Sequence, residues 1–258
     1  MPDTINAKYI NHSFGSKPEV SSVKQLTKYR FTMSLYVAIL ATLIGICIGQ
    51  QAGTLTDEYK PPLPLQVCGQ SGCATENTGV VIDAAWRYLY SKDDSAVSCQ
   101  IAGGYDPVLC PDGLTCAENC ALNGIDQNGY NNNIGVFSDN DELRLMYLTG
   151  NNVGSAVYLT TEDDKYRLFR LKNKEFTFDV DTSEMPCGLN GALFFSEMEE
   201  DGGMSSYPSN TAGAKYGTGV CDGQCKHDLK YMAGEINLSG YSDSGACCAE
   251  LDLWEANR

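Results

Sequence analysis

An all-β sandwich is the fold class this sequence predicts, and three observations carry it. Beyond residue 66, short apolar runs alternate with clusters of Gly, Asn, Asp and Ser. One of those runs alternates apolar and polar residues strictly, with the period of two that belongs to a strand with one wet face. No amphipathic helix longer than about two turns can be drawn in the same region, and no internal repeat or low-complexity tract appears. Stacked antiparallel sheets are the natural architecture for such a pattern.

Taken in order, the chain opens with residues 1–32, an amino-terminal extension to which the sequence assigns no part in the fold. Lys24, Lys28 and Arg30 then precede an uncharged stretch over residues 31–56, whose apolar centre ends in Cys47-Ile48-Gly49. Residues 33–49 therefore read as a secretory signal cleaved near Gln50, with Met33 as an alternative start. The other reading is an uncleaved anchor, although the apolar stretch is shorter than the ~20 residues a span needs. Residues 50–66, with Pro61, Pro62 and Pro64, read as an extended lead-in. The domain itself is expected from Val67 to residue 258. Strands are expected within 80–90, 156–160, 166–171, 175–181, 192–198 and 229–236. In 175–181, Phe176, Phe178 and Val180 share one face while Glu175, Thr177, Asp179 and Asp181 share the other.

Composition narrows the function. The formal charge is −15, and residues 1–32 are net basic, so the rest is more acidic still. That balance argues against nucleic acid as a partner. Setting Cys47 aside as part of the signal leaves an odd number of the 12 cysteines. In a secreted chain this density reads as a disulfide framework with one unpaired member. A zinc site built from Cys221, Cys225, Cys247 and Cys248 is the weaker alternative, because adjacent cysteines seldom chelate one metal. No metal and no other cofactor is expected. His227 is the only histidine beyond the signal, so a Ser-His or Cys-His pair has almost no material.

The most informative segment is the last, where Glu250, Asp252 and Glu255 stand among apolar residues. Strand period puts Glu250 and Asp252 on one face, and Glu255 joins them only if a β-bulge near Leu253 and Trp254 absorbs one residue. Three carboxylates on one strip raise the proton affinity of at least one, giving a neutral acid beside an ionised base. Glycoside hydrolysis with retention uses that division, with the two carboxyl groups about 5 Å apart. A wet strand face or a calcium site are the other readings of such spacing.

The segment Gly245-Ala-Cys-Cys-Ala-Glu-Leu-Asp-Leu-Trp-Glu-Ala-Asn257 closely resembles the catalytic strand of glycoside hydrolase family 7 cellulases. Val81-Ile-Asp-Ala-Ala-Trp-Arg87, Cys110-Pro-Asp-Gly-Leu-Thr-Cys116, Pro186-Cys-Gly-Leu-Asn-Gly-Ala-Leu193 and Ala214-Lys-Tyr-Gly-Thr-Gly219 are similar to that family in order and spacing. So is Glu175-Phe-Thr-Phe-Asp-Val-Asp181. The resemblance runs from about Val67 to Asn257 and covers about the first half of a family domain. It implies a jelly-roll sandwich of two curved antiparallel sheets, incomplete in this chain. It also implies a secreted, extracellular enzyme, monomeric at full length and off the membrane once the signal is removed, with a β-1,4-glucan polysaccharide as substrate. By resemblance Glu250 is the nucleophile, Glu255 the acid/base and Asp252 the supporting carboxylate. Trp86 matches a sugar-stacking tryptophan, with a core tryptophan as the alternative, and Tyr88 stands where many cellobiohydrolases carry a second one. Asn190, Asp222, Gln224, Asp228 and Lys230 match polar residues of the cleft.

Departures from the family pattern are Ala156, Phe194 and Val220, each in place of a residue that hydrogen-bonds sugar. Only six residues separate Gly240 from Cys247, and the short roof this implies favours an open cleft and an endoglucanase. The resemblance pairs Cys68 with Cys73, Cys99 with Cys120, Cys110 with Cys116, Cys221 with Cys248 and Cys225 with Cys247, leaving Cys187 alone. A cellobiohydrolase of the same family and an inactive carbohydrate-binding sandwich are the rival readings. As half a sandwich the chain would also expose strand edges and aggregate. Asn237-Leu-Ser239 is an acceptor sequence for glycosylation.

Overall fold

The computed structural model describes residues 2–11, 50–239 and 245–257. The expected signal, residues 33–49, and most of the 240–247 roof loop lie outside them. Among the described residues no helix is long and apolar enough to cross a membrane.

The chain is almost entirely short strands joined by turns. The largest sheet has six strands, ordered Val136–Asp139, Glu142–Met146, Pro2–Asn11, Leu65–Gly69 and Gly72–Glu76, with Lys174–Asp181 on the other edge of Pro2–Asn11. Strand Lys174–Asp181 alternates half-buried and exposed residues along its whole length, with Phe176, Phe178 and Val180 inward, as its sequence predicts. Phe176 packs with Phe169 and Phe195 at ring separations of 5.6 and 5.2 Å.

Within the amino-terminal extension, Pro2–Asn11 pairs antiparallel with both Glu142–Met146 and Lys174–Asp181, and parallel with Leu65–Gly69. Pairing is also present ahead of Val67. Gln51–Ala52 pairs with Cys120–Leu122, which pairs in turn with Leu89–Ser91. Val80 donates to the carbonyl of Pro61 and Leu63 to that of Thr78, both at 2.9 Å. Gly79 allows this approach, because a Cβ there would lie 2.8 Å from the Pro61 carbonyl oxygen and 2.6 Å from Lys60 Cγ. Proline lacks an N–H but keeps its carbonyl, so a proline-rich segment can still accept along a sheet edge.

The run 80–90 divides. All five residues of Thr78–Ile82 are buried and pair with Val157–Thr161. Asp83 then accepts the Ala85 N–H at 2.8 Å and caps a single 3₁₀ turn, Ala84–Trp86, before Leu89–Ser91 resumes as a strand. Residues 229–236 likewise become a hairpin, Tyr231–Met232 with Glu235–Ile236, turning at Ala233 and Gly234 with φ of 51° and 81°. The run 166–171 is not a strand. Beyond the single bridge of Tyr166 to Thr160 its backbone finds no ladder, and Tyr166 turns its side chain inward to donate to the Thr218 carbonyl at 2.8 Å.

Among the described residues five disulfides form, each the pairing that the resemblance implies, and Cys187 is unpaired and exposed. The zinc reading therefore falls, since Cys221, Cys225, Cys247 and Cys248 are all bridged. Cys99, Cys110 and Cys120 sit within 4.8 Å of one another, but they too are in disulfides and offer no thiolate. A cavity of about 760 Å³ runs past Leu143, Leu159, Phe169, Phe176, Phe195 and Leu251, most of them half-buried.

Inside the sandwich, Arg87 makes two hydrogen bonds with Glu58, at 2.5 and 2.8 Å, both side chains being almost fully buried. Tyr130 donates to the same carboxylate at 2.7 Å, and Arg87 Nε donates to the Tyr216 carbonyl at 2.8 Å. Burial alone would lower the Arg87 pKa, but the carboxylate of Glu58 more than offsets it and the net direction is up.

Candidate active site

Strand Glu250–Ala256 pairs antiparallel with Gly191–Ser196, and the pairing fixes where the acids point. Ser196 stands opposite Glu250, Phe194 opposite Asp252 and Ala192 opposite Glu255, with a register shift between Leu193 and Phe194. Leu193 faces Trp254, so Leu253 is the extra residue of a bulge. Because Ala192, Phe194 and Ser196 share one face, Glu250, Asp252 and Glu255 share it too. Glu250 is half-buried, while Asp252 and Glu255 are exposed.

Among the described residues two donors reach the strip. The Gly223 N–H donates to Glu250 Oε2 at 2.9 Å, and Asn190 Nδ2 donates to Glu255 Oε1 at 2.8 Å. Gly223 lies in a loop tied to the strand by Cys221–Cys248 and Cys225–Cys247. That loop is anchored from behind by Lys226, whose Nζ lies 3.1 Å from Asp83 Oδ2. Burial would lower the Lys226 ammonium, but Asp83 and its neighbours overcome this and raise it.

The other residues singled out in the sequence fall in several environments. Asn190 is exposed and holds Glu255, a role the sequence did not suggest. Asp222 is half-buried and accepts from the Lys226 N–H at 3.1 Å, while Gln224 and Asp228 are exposed. Trp86 is half-buried at the end of its 3₁₀ turn and packs against the cluster of Leu63, Val80, Ile82 and Tyr130. Tyr88 is 42% exposed and stacks on Tyr90 with ring centroids 6.1 Å apart.

Lys230 departs most from its reading as a cleft residue. It is only 7% exposed and donates to the carbonyl of Arg87. Burial lowers its pKa to about 8. In the sequon, Asn237 donates its side-chain amide to the carbonyls of His227 and Leu229, both at 3.1 Å. Missed altogether was Gly223, although the spacing of Cys221 and Cys225 was the signal. Once those cysteines pair with 247 and 248, the residues between them must lie beside Glu250.

Glutamates grouped on one strand face of a β-sandwich, with hydrogen-bond donors at hand, form the kind of site that cleaves glycosidic bonds. The sequence model for glycosyl hydrolase family 7 matches residues 52–258, and the chain belongs to that family. It is 46% identical over 240 residues to exoglucanase GH7B of Limnoria quadripunctata, covering 87% of this chain and 52% of that protein. It also resembles the cellobiohydrolase of Melanocarpus albomyces solved with cellotetraose, with 41% identity and a TM-score of 0.70 over 81% of this chain and 51% of that one. The native endocellulase EGI of Humicola insolens matches at 33% identity and a TM-score of 0.66, again over 81% of this chain and 51% of that one. The chain thus spans about half the length of these relatives. Family and architecture agree with the reading of the sequence as an all-β jelly-roll.

Proposed function

We propose that this chain carries the catalytic strand of a retaining glycosidase that cleaves β-1,4-glucosidic bonds in cellulose or related β-glucans outside the cell. The observation that carries the proposal is the bulge at Leu253, which brings Glu250, Asp252 and Glu255 to one face. Glu250 attacks the anomeric carbon, Glu255 protonates the leaving oxygen and then activates water, and Asp252 supports the nucleophile. Trp86 and Tyr88 offer ring faces to glucose units, and Asp222, Gln224 and Asp228 offer polar groups beside them. Five disulfides suit an extracellular protein.

Internal attack is the preferred mode, because only six residues join Gly240 to Cys247 and Glu255 is exposed. The test is release of reducing sugar from amorphous cellulose by the parent, Glu250→Gln and Glu255→Gln. Loss of activity in both supports the proposal, and full activity in Glu250→Gln overturns it. One observation favours a second reading, in which the chain binds glucan without cutting it: Leu251, on the catalytic strand itself, is 52% exposed beside the open apolar cavity. An inactive parent that still co-sediments with cellulose would establish that reading.

A further inference from the structure

We infer that Gly223 is a positioning residue for Glu250, and that the two-disulfide loop around it is a rigid clamp on that carboxylate. The inference rests on Glu250 being the nucleophile, and it adds a residue that the cleft reading of the neighbouring Asp222 and Gln224 does not include.

The clamp is built from the loop outward. Cys221 bonds to Cys248 and Cys225 to Cys247, so both ends of a five-residue segment are fixed to the two residues that lead into the catalytic strand. Main-chain bonds add to the covalent ones. Cys248 donates to the Asp222 carbonyl at 3.0 Å and Ala246 to the Lys226 carbonyl at 2.9 Å, with bridges pairing Asp222 to Cys247 and Lys226 to Ala246. The Lys226 ammonium then ties the loop to Asp83, whose side chain is 3% exposed. A loop held at so many points cannot drift relative to Glu250, and its Gly223 N–H meets Glu250 Oε2 at 2.9 Å.

A main-chain donor differs from a side-chain one in that it has no rotamer to change. It fixes one carboxylate oxygen and leaves the other for the substrate, and a charge-assisted bond of this kind is about twice as strong as a neutral one. A side chain here would crowd the carboxylate: a Cβ at 223 would lie 3.1 Å from Glu250 Cβ and 3.7 Å from its Cδ. Its backbone is not among the positive-φ positions, so alanine can adopt the conformation and would act only by pressing on Glu250.

The test uses nuclear magnetic resonance on the full chain, following the Gly223 amide proton. The expected result is a downfield Gly223 resonance that moves upfield on acidification, and a loss of that pH response in Glu250→Gln. A Gly223 resonance that ignores Glu250→Gln overturns the clamp, whatever the enzyme does. Gly223→Ala is the second variant: it keeps the fold and the N–H, and it lowers kcat about tenfold with KM unchanged, whereas a merely structural residue would leave kcat per folded molecule intact. If the resonance follows Glu250 while Glu250→Gln retains full hydrolysis, the clamp stands and the nucleophile assignment falls.

Discussion

Asn190 and Glu255 are joined across the face that carries the three acids, the asparagine amide donating to the carboxylate at 2.8 Å from just before the facing strand. A bond to a charged group contributes about 1.5–3 kcal/mol. Asn190→Ala should therefore lower kcat about 10- to 100-fold in a polypeptide that carries the activity, and Asn190→Asp should lower it further by setting a like charge beside Glu255. Steady-state kinetics on a soluble cello-oligosaccharide would check this, with an unchanged kcat in Asn190→Ala counting against the role.

Arg87 and Glu58 are a buried pair, so removing one member strands the other. Arg87→Met should destabilise the fold by about 3–5 kcal/mol. The double change with Glu58→Gln should recover part of that loss, because the uncompensated charge is gone. Urea unfolding of the two variants beside the parent measures both.

Lys230 links stability to alkaline pH. Its pKa is lowered to about 8 by burial, against about 10.4 in the unfolded chain. Between those values the unfolded chain holds more protons, so this site's contribution is poorest below pH 8 and improves as the pH rises toward about 10.4. Lys230→Met should be more stable than the parent near neutrality, by about 3 kcal/mol at most, and the advantage should shrink as the pH passes 8. The comparison should stop near pH 10. Tyr158 is pushed up to about 12, mainly by burial, and raised phenols make stability fall above their ordinary range. Cys187→Ser in both proteins prevents thiol exchange at those pH values.

Asn237 should stay unglycosylated in the folded protein, since a glycan would remove an amide hydrogen from carbonyls it already serves. Intact mass after expression in a glycosylating host checks this. Asn237→Ala should cost about 1–3 kcal/mol of stability, because those two carbonyls lose their donor.

Local patterns were legible and long-range ones were not. Residues 175–181 declared their two faces because alternation is a property of neighbours along the chain. The bulge at Leu253 was legible for the same reason, as three acids of mismatched parity could share a strip only by absorbing one residue. Gly79 beneath Pro61, Glu58 beneath Arg87 and the inward turn of Lys230 depend on partners distant in sequence. Nothing near those residues signals the contact. The Asn237 sequon shows the converse: three residues satisfied a motif, while the fold had already used the side chain.

The strand Pro2–Asn11 also has a kinetic meaning. Ahead of its partners in the sequence, it sits in the middle of the largest sheet, with Thr4 in register with Asp181 on one edge and with Arg144 on the other. That sheet therefore cannot assemble as the chain emerges, and must wait for segments made much later. The entropy lost in closing so long a loop precedes any gain from pairing, which slows folding. The disulfides Cys68–Cys73 and Cys110–Cys116 span only five and six residues and can form early. The central sheet is the late event, and the period before it closes is when the exposed strand edges are most open to association with other chains.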